Sequence, residues 1–116
     1  KIMQQKKPDD FVISTDNTFS VKEFINLACK ILKMKIKWQG TGLNEKAYQI
    51  ENKKKLLLIK INKKYFRPLD IDYLRGDSSK AKKLLRYKAK YNFKDLVKEM
   101  LYSDINQQKK LLNKIY

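Results

Sequence analysis

The chain has 116 residues, 42% of them hydrophobic, which is enough for one small domain with a modest core. The lack of histidine and the single cysteine, Cys29, exclude imidazole metal sites, multi-cysteine metal sites, an intrachain disulfide and the Ser-His and Cys-His nucleophile arrangements. A formal net charge of +16 with a pI near 9.9 raises polyanions as partners, but only Arg67, Arg75 and Arg86 are arginine, so the charge reads as a diffuse lysine coat.

Phe11-Val12-Ile13, bounded by Pro8-Asp9-Asp10 and Asp16-Asn17, predicts a short buried strand. Ser20 and Glu23 have capping-box spacing and open a helix. Its apolar stripe is Val21, Phe24, Ile25, Ala28, Ile31 and Leu32, with Cys29 a small packing residue at the edge. Lys35-Ile36-Lys37-Trp38 alternates as a strand does and runs into Gly40-Thr41-Gly42. Leu56 to Ile61 offers a second strand, and the two are expected to form a small ribbon around a loop that contains Lys46. Lys53-Lys54-Lys55 is also read as loop.

Asp70 to Leu74 predicts a short helical turn. Asp77 or Ser78 then caps a helix that turns Ala81, Leu84 and Leu85 inward. Asn92 is the expected N-cap of a final helix whose face is Phe93, Leu96, Val97, Met100, Leu101 and Ile105, with residues 106–116 a possible helical extension. No internal repeat or long linker is evident, so residues 1–116 read as one α+β unit of several helices with short strands. The longest apolar run, Leu56 to Ile59, is far below the roughly 18 residues of a spanning helix. A cytoplasmic location without membrane attachment is expected.

The stretch from Tyr65 to Asp77 carries the most chemistry. Arg67 precedes Pro68, which disfavours a helical conformation for the arginine, and Asp70 follows three residues on. A guanidinium fork matches phosphate oxygens, and a free carboxylate accepts hydrogen bonds from a ribose diol. Two readings stand: the pair holds a nucleotide diphosphate, or the two side chains bind each other at a helix start.

The flanking blocks are patterned too. Met3-Gln4-Gln5-Lys6-Lys7-Pro8-Asp9-Asp10-Phe11-Val12-Ile13-Ser14-Thr15 is similar to M-Q-Q-x-x-P-D-D-Y-V-I-A-T. Trp38-Gln39-Gly40-Thr41-Gly42-Leu43-Asn44-Glu45 matches W-x-G-x-G-x-x-E. Lys80-Ala81-Lys82 and Phe93-Lys94-Asp95-Leu96-Val97-Lys98-Glu99-Met100 match K-A-K and F-x-E-L-V-x-E-M. In this order and with the Tyr65 to Asp77 block in register, the chain resembles the C-terminal part of the GDP-mannose 4,6-dehydratases, which are extended short-chain dehydrogenase/reductases. Coverage runs from about residue 3 to about residue 105, and several ordered blocks are more specific than one. Departures are Asp70 for glutamate, Asp16 for glycine, Asn62-Lys63 for Asp-Pro, and Arg86, Tyr87 and Ala89 for Gly, Trp and Pro. The cost of each lost glycine depends on whether its φ is positive.

The resemblance implies a small C-terminal substrate-binding domain without its Rossmann half. It implies conversion of GDP-D-mannose to GDP-4-dehydro-6-deoxy-D-mannose and water by a parent enzyme that uses NADP and is a homo-oligomer when complete. The substrate is GDP-mannose, and the implied partner is an N-terminal Rossmann-like domain of the same enzyme. Catalytic and cofactor residues are not expected here: no tyrosine has lysine four positions later, and Gly40, Gly42 and Gly76 make no dinucleotide loop. The chain starts at Lys1 and the resemblance enters well past the family's beginning, so an inactive fragment is expected. The substrate-binding residues are Arg67 for the diphosphate, Asp70 for a ribose hydroxyl, Tyr65, which either lines the same wall or is a packing residue with a wet hydroxyl, and Lys46, which is either a phosphate contact or one more solvated lysine. The other function class is a basic module for nucleic acid or another polyanion, for which the scattered lysines give little support. The third possibility is a degenerate remnant that binds nothing.

Overall fold

In the computed structural model, which describes residues 1–67, 71 and 73–113, helix α1 spans Val21–Ile31 and starts where the sequence puts it. The Ser20 hydroxyl accepts from Glu23 N–H, and the Glu23 carboxylate accepts from Ser20 N–H at 2.7 Å, so the box satisfies two otherwise orphaned donors. Lys33, left-handed at φ 57, ends the helix. Its N–H reaches Lys30 O, and Met34 N–H reaches Cys29 O at 2.8 Å.

Strand β1 (Ile36–Gln39) follows, then β2 (Lys46–Glu51) and β3 (Lys54–Lys60), an antiparallel meander in the order β1-β2-β3. The expected ribbon is therefore corrected: β2 separates the two predicted strands and pairs with both. Lys46, expected in a loop, is the first residue of β2, and Lys54 and Lys55 begin β3. Asn52 and Lys53, at φ 48 and 62, form the two-residue turn between β2 and β3, whose doubly left-handed backbone suits the twist of an antiparallel pair. Register runs Trp38↔Ala47↔Ile59 on one face and Gln39↔Lys46↔Lys60 on the other, with an irregularity between Ala47 and Tyr48. The first face receives α1: Trp38 Nε1 donates to Asn26 Oδ1 at 2.8 Å, and the Lys22 ammonium lies 4.7 Å from the indole centroid while pairing with Glu45.

Helix α2 (Ser79–Leu85) and helix α3 (Phe93–Leu112) complete the fold. Asn92 caps α3 as predicted, and Asp95 completes a capping box. Phe19 stacks on Phe93 with centroids 3.8 Å apart, and Phe24 meets the same ring edge-on, joining α1 to α3. Among the described residues the buried side chains are mostly small: Ala47, Ala81, Cys29, Val97, Leu85 and Ser78. A radius of gyration of 19.5 Å accompanies this thin core, against about 13 Å for a compact domain of this length.

Several expectations change accordingly. Phe11 to Ile13 has no strand assignment, and Val12 and Ile13 are about half exposed. Val21 and Leu32 of the α1 stripe, Leu84 of α2 and Leu96 and Met100 of α3 are exposed. Cys29, expected at the edge of its stripe, is the most buried residue of α1. Of the predicted turn from Asp70 to Leu74, the described Ile71, Tyr73 and Leu74 are not helical, while Asp70 and Asp72 lie outside the described residues. Ser78 occupies the position before α2 without a side-chain cap. Asp77 Oδ1 instead accepts from Ser79 N–H at 2.9 Å.

Candidate functional site

The site is built where β3 leaves the sheet. Asn62 Oδ1 accepts from Lys64 N–H at 3.0 Å and starts a 3-10 turn over Lys63–Tyr65. Phe66 then returns to extended backbone, so Arg67 leaves the turn on an extended segment. Arg67 is exposed, and its guanidinium forms no hydrogen bond or ion pair with a described residue. Tyr65 is 73% exposed with the Lys64 ammonium 5.8 Å from its ring, so it is not a packing residue. Lys46 is exposed and lies directly across from Lys60, the last residue of β3. It therefore stands at the end of the sheet from which the chain departs to Tyr65 and Arg67. No hydrogen bond or ring contact joins Lys46 to Tyr65 or Arg67 among the described residues. Asp70, the fourth predicted site residue, lies outside them.

Sequence reasoning missed an open groove of about 1110 Å³ between the segment around Phe19 and the α2–α3 connection. Thr15, Asn17, Tyr87, Ala89, Tyr91 and Phe93 line it, and the described site residues Lys46, Tyr65 and Arg67 do not. The available signal was the pair of departures at Tyr87 and Ala89, both of which stand in its wall. Among the described residues the wall contains lysine and tyrosine but no carboxylate, so these offer no acid–base pair of the usual kind.

The perturbed carboxylates belong to structural clamps. The Asp16 carboxylate pairs with the Lys82 ammonium and accepts from Ser78 N–H at 2.7 Å and the Ser14 hydroxyl at 2.8 Å. These contacts, Lys82 first, hold its pKa far below the ordinary value. Asp9 is lowered by Lys80 and by Asp10 N–H, Glu23 by the Ser20 N–H and hydroxyl, and Asp77 by Ser79. Burial pushes the Cys29 thiol up, away from a reactive thiolate. The Asp16 clamp ties residues 14–18 to residues 74–78 through Ser78 N–H, and Thr18 Oγ1 donates to Leu74 O at 2.7 Å. A Cβ at Gly76 would lie 2.7 Å from Ser14 Cβ, which is why a glycine sits there.

The glycines do not fit a dinucleotide cofactor. Gly40, at φ 82, lies in the β1–β2 connection, which passes through a 3-10 turn over Gly42–Asn44 into an antiparallel strand, not into a helix N-terminus. Among the described residues, no group of three or more carboxylate and thiol side chains has metal-binding geometry, and no helix is long and apolar enough to cross a membrane.

The family model described as GDP-mannose 4,6 dehydratase matches residues 1–100. A protein of that name from Dictyostelium discoideum is 44% identical over 104 residues, which is 90% of this chain and 29% of the relative. The Drosophila melanogaster protein is 39% identical over 94% of this chain and 27% of its own length. The human protein is 36% identical over 90% and 27%. The chain thus spans under a third of the length of these relatives. With the ordered motifs and most of its length matched, this α+β chain belongs to the GDP-mannose 4,6-dehydratase family.

Proposed function

We propose that this chain is the nucleotide-holding, substrate-binding part of a GDP-mannose 4,6-dehydratase. The observation that carries the reading is Arg67, exposed on an extended segment after a capped turn and free of hydrogen bonds and ion pairs among the described residues, in a chain of this family. Its guanidinium takes the diphosphate of GDP-mannose bidentately. Lys46 adds a second positive charge, Tyr65 lines the same wall, and Asp70 accepts from a ribose hydroxyl.

In this reading the parent enzyme is a cytoplasmic, homo-oligomeric short-chain dehydrogenase/reductase that eliminates water from GDP-D-mannose to give GDP-4-dehydro-6-deoxy-D-mannose. NADP belongs to an N-terminal Rossmann-like domain, since the glycines present here do not fit it. This chain's task is orientation: binding energy gathered at the remote nucleotide positions the sugar for chemistry elsewhere, and the chain alone is inactive. Titration calorimetry with GDP and GDP-mannose tests this. Binding that falls about tenfold or more in Arg67→Ala supports the assignment. Equal heats for the two proteins, or none for either, refute it.

A further inference from the structure

The sheet face turned away from α1 carries an apolar centre inside a basic rim. Cross-strand register places Tyr48 and Ile50 of β2 beside Leu57 of β3 at the centre. Lys37, Lys46, Lys55 and Lys60 surround them. Leu57 is 45% exposed, all four lysines are exposed, and no strand position on this face holds a carboxylate. The Lys55 ammonium lies 4.7 Å from the Tyr48 ring centroid and donates to Gln39 Oε1 at 2.6 Å, so its stem lies along the apolar centre. Lys46 and Lys60 are direct cross-strand neighbours, an unfavourable like-charge pair that an opposing anion would relieve. The ion pairs formed among the described residues, at Lys22, Lys80 and Lys82, lie elsewhere.

A solvated face of an antiparallel sheet is ordinarily polar, whereas an apolar centre with a charged rim is the anatomy of a protein interface. We propose that this face docks an acidic amphipathic helix from another polypeptide segment, its apolar stripe over Tyr48, Ile50 and Leu57 and its flanking carboxylates on Lys37, Lys55 and Lys60. Three strands span about 10 Å between the outer two, close to the diameter of a single helix. Charge decides against a second copy, since pairing this face with itself would set its lysines against the same lysines with no carboxylate between them. A nucleic acid fits less well: phosphates leave the apolar centre uncovered, and the strand positions of this face hold no arginine.

The test uses the full 116-residue chain and a labelled synthetic peptide of about 18 residues, roughly 27 Å as a helix, with leucines on one face and glutamates flanking them. Fluorescence anisotropy measures its binding beside an analogue with glutamine for glutamate and beside oligothymidylate. Binding is expected for the acidic peptide, at least about tenfold weaker for the Lys37→Glu/Lys60→Glu variant, and within about twofold of the parent for a control reversal on α3, Lys98→Glu/Lys109→Glu. A lysine-flanked peptide should bind the Lys37→Glu/Lys60→Glu variant better than the parent, which shows that the variant is folded. Equal binding of the glutamine analogue, equal losses from the two reversals, failure of the charge-swapped peptide, or oligothymidylate binding that depends on Lys37 and Lys60 more than peptide binding does would each overturn the proposal.

Discussion

Arg86 follows the last residue of α2 at φ 50, and the family pattern has glycine at this position. There the chain must turn sharply, because the N–H groups of Arg86 and Tyr87 both point back at Ala81 O, the latter at 3.2 Å. A side chain in the left-handed region costs about 1–2 kcal/mol from the approach of Cβ to the following carbonyl. Arg86→Gly removes that cost but adds about 0.5–1 kcal/mol of unfolded-state entropy. The Arg86 side chain is exposed and forms no hydrogen bond, ion pair or ring contact with a described residue, so its removal loses little. The net is a gain of about 0.5–1 kcal/mol, or a rise of roughly 2–6 °C in Tm for a domain of this size. Urea unfolding followed through the one tryptophan, Trp38, reads this directly, since that indole is fixed by Asn26 and Lys22. Arg86→Ala separates backbone from side chain: it keeps the Cβ and should lie within about 0.3 kcal/mol of the parent. If alanine stabilises as much as glycine, or glycine destabilises, left-handed strain is not what distinguishes this position.

The same logic gives the opposite sign at Asp16, also left-handed at φ 59, because its carboxylate bridges Lys82, Ser78 and Ser14. Asp16→Gly should lower the urea midpoint, while Asp16→Asn should lie between it and the parent. The pKa values of Asp9, Asp16, Glu23 and Asp77 are depressed in the fold, so the unfolded chain binds protons first as pH falls. The stability they provide is complete above the ordinary carboxylate range and is lost on acidification below about pH 5. Protonation also leaves 28 basic residues unopposed, and Asp16→Asn should show a shallower acid-side loss in a pH series of urea melts. Gly40→Ala should cost more than the about 1–2 kcal/mol of left-handed strain, because its Cβ would stand 2.4 Å from Asn44 O. Gly42→Ala, with open space around it, should cost only the strain, and equal losses would contradict this. Asn92→Ala should remove about 1 kcal/mol and Asn92→Ser little, as read by thermal unfolding of α3.

The helix starts were legible because a cap is a local event: Ser20 with Glu23, and Asn92, each satisfy donors within three residues. β2 was not, because Lys46-Ala47-Tyr48-Gln49-Ile50-Glu51 mixes polar and apolar residues on both faces, and Asn52-Lys53 lacks the glycine that usually marks such a turn. Phe11 to Ile13 erred the other way. β-branched and aromatic residues signal a strand, but a strand needs a ladder partner, and the described residues supply none. At the candidate site, the composition of the Tyr65 to Arg67 segment was readable, whereas the place of Lys46 depended on the unseen β2. The cleft beside Tyr87 depended on bringing together segments some 70 residues apart, which no local pattern encodes.

The distribution of charge explains why the proposed site and the clamps are separate. Each carboxylate with a depressed pKa is engaged by a lysine or a cap N–H, and Glu45, the acid next to Lys46, is engaged by Lys22. That leaves Lys46 and Lys60, at the end of the sheet where β3 gives way to the Tyr65 turn, and Arg67 beyond that turn without a carboxylate partner among the described residues. Lys46 and Lys60 are cross-strand neighbours; holding two exposed cations side by side is unfavourable in the free chain, and an anion that bridges them recovers that energy on binding. A diphosphate should therefore bind this end with a steeper salt dependence than Arg67 alone would give, and substitution of Lys46 by glutamine should flatten the dependence of GDP affinity on salt. An unchanged slope would mean that Lys46 does not share the ligand with Arg67.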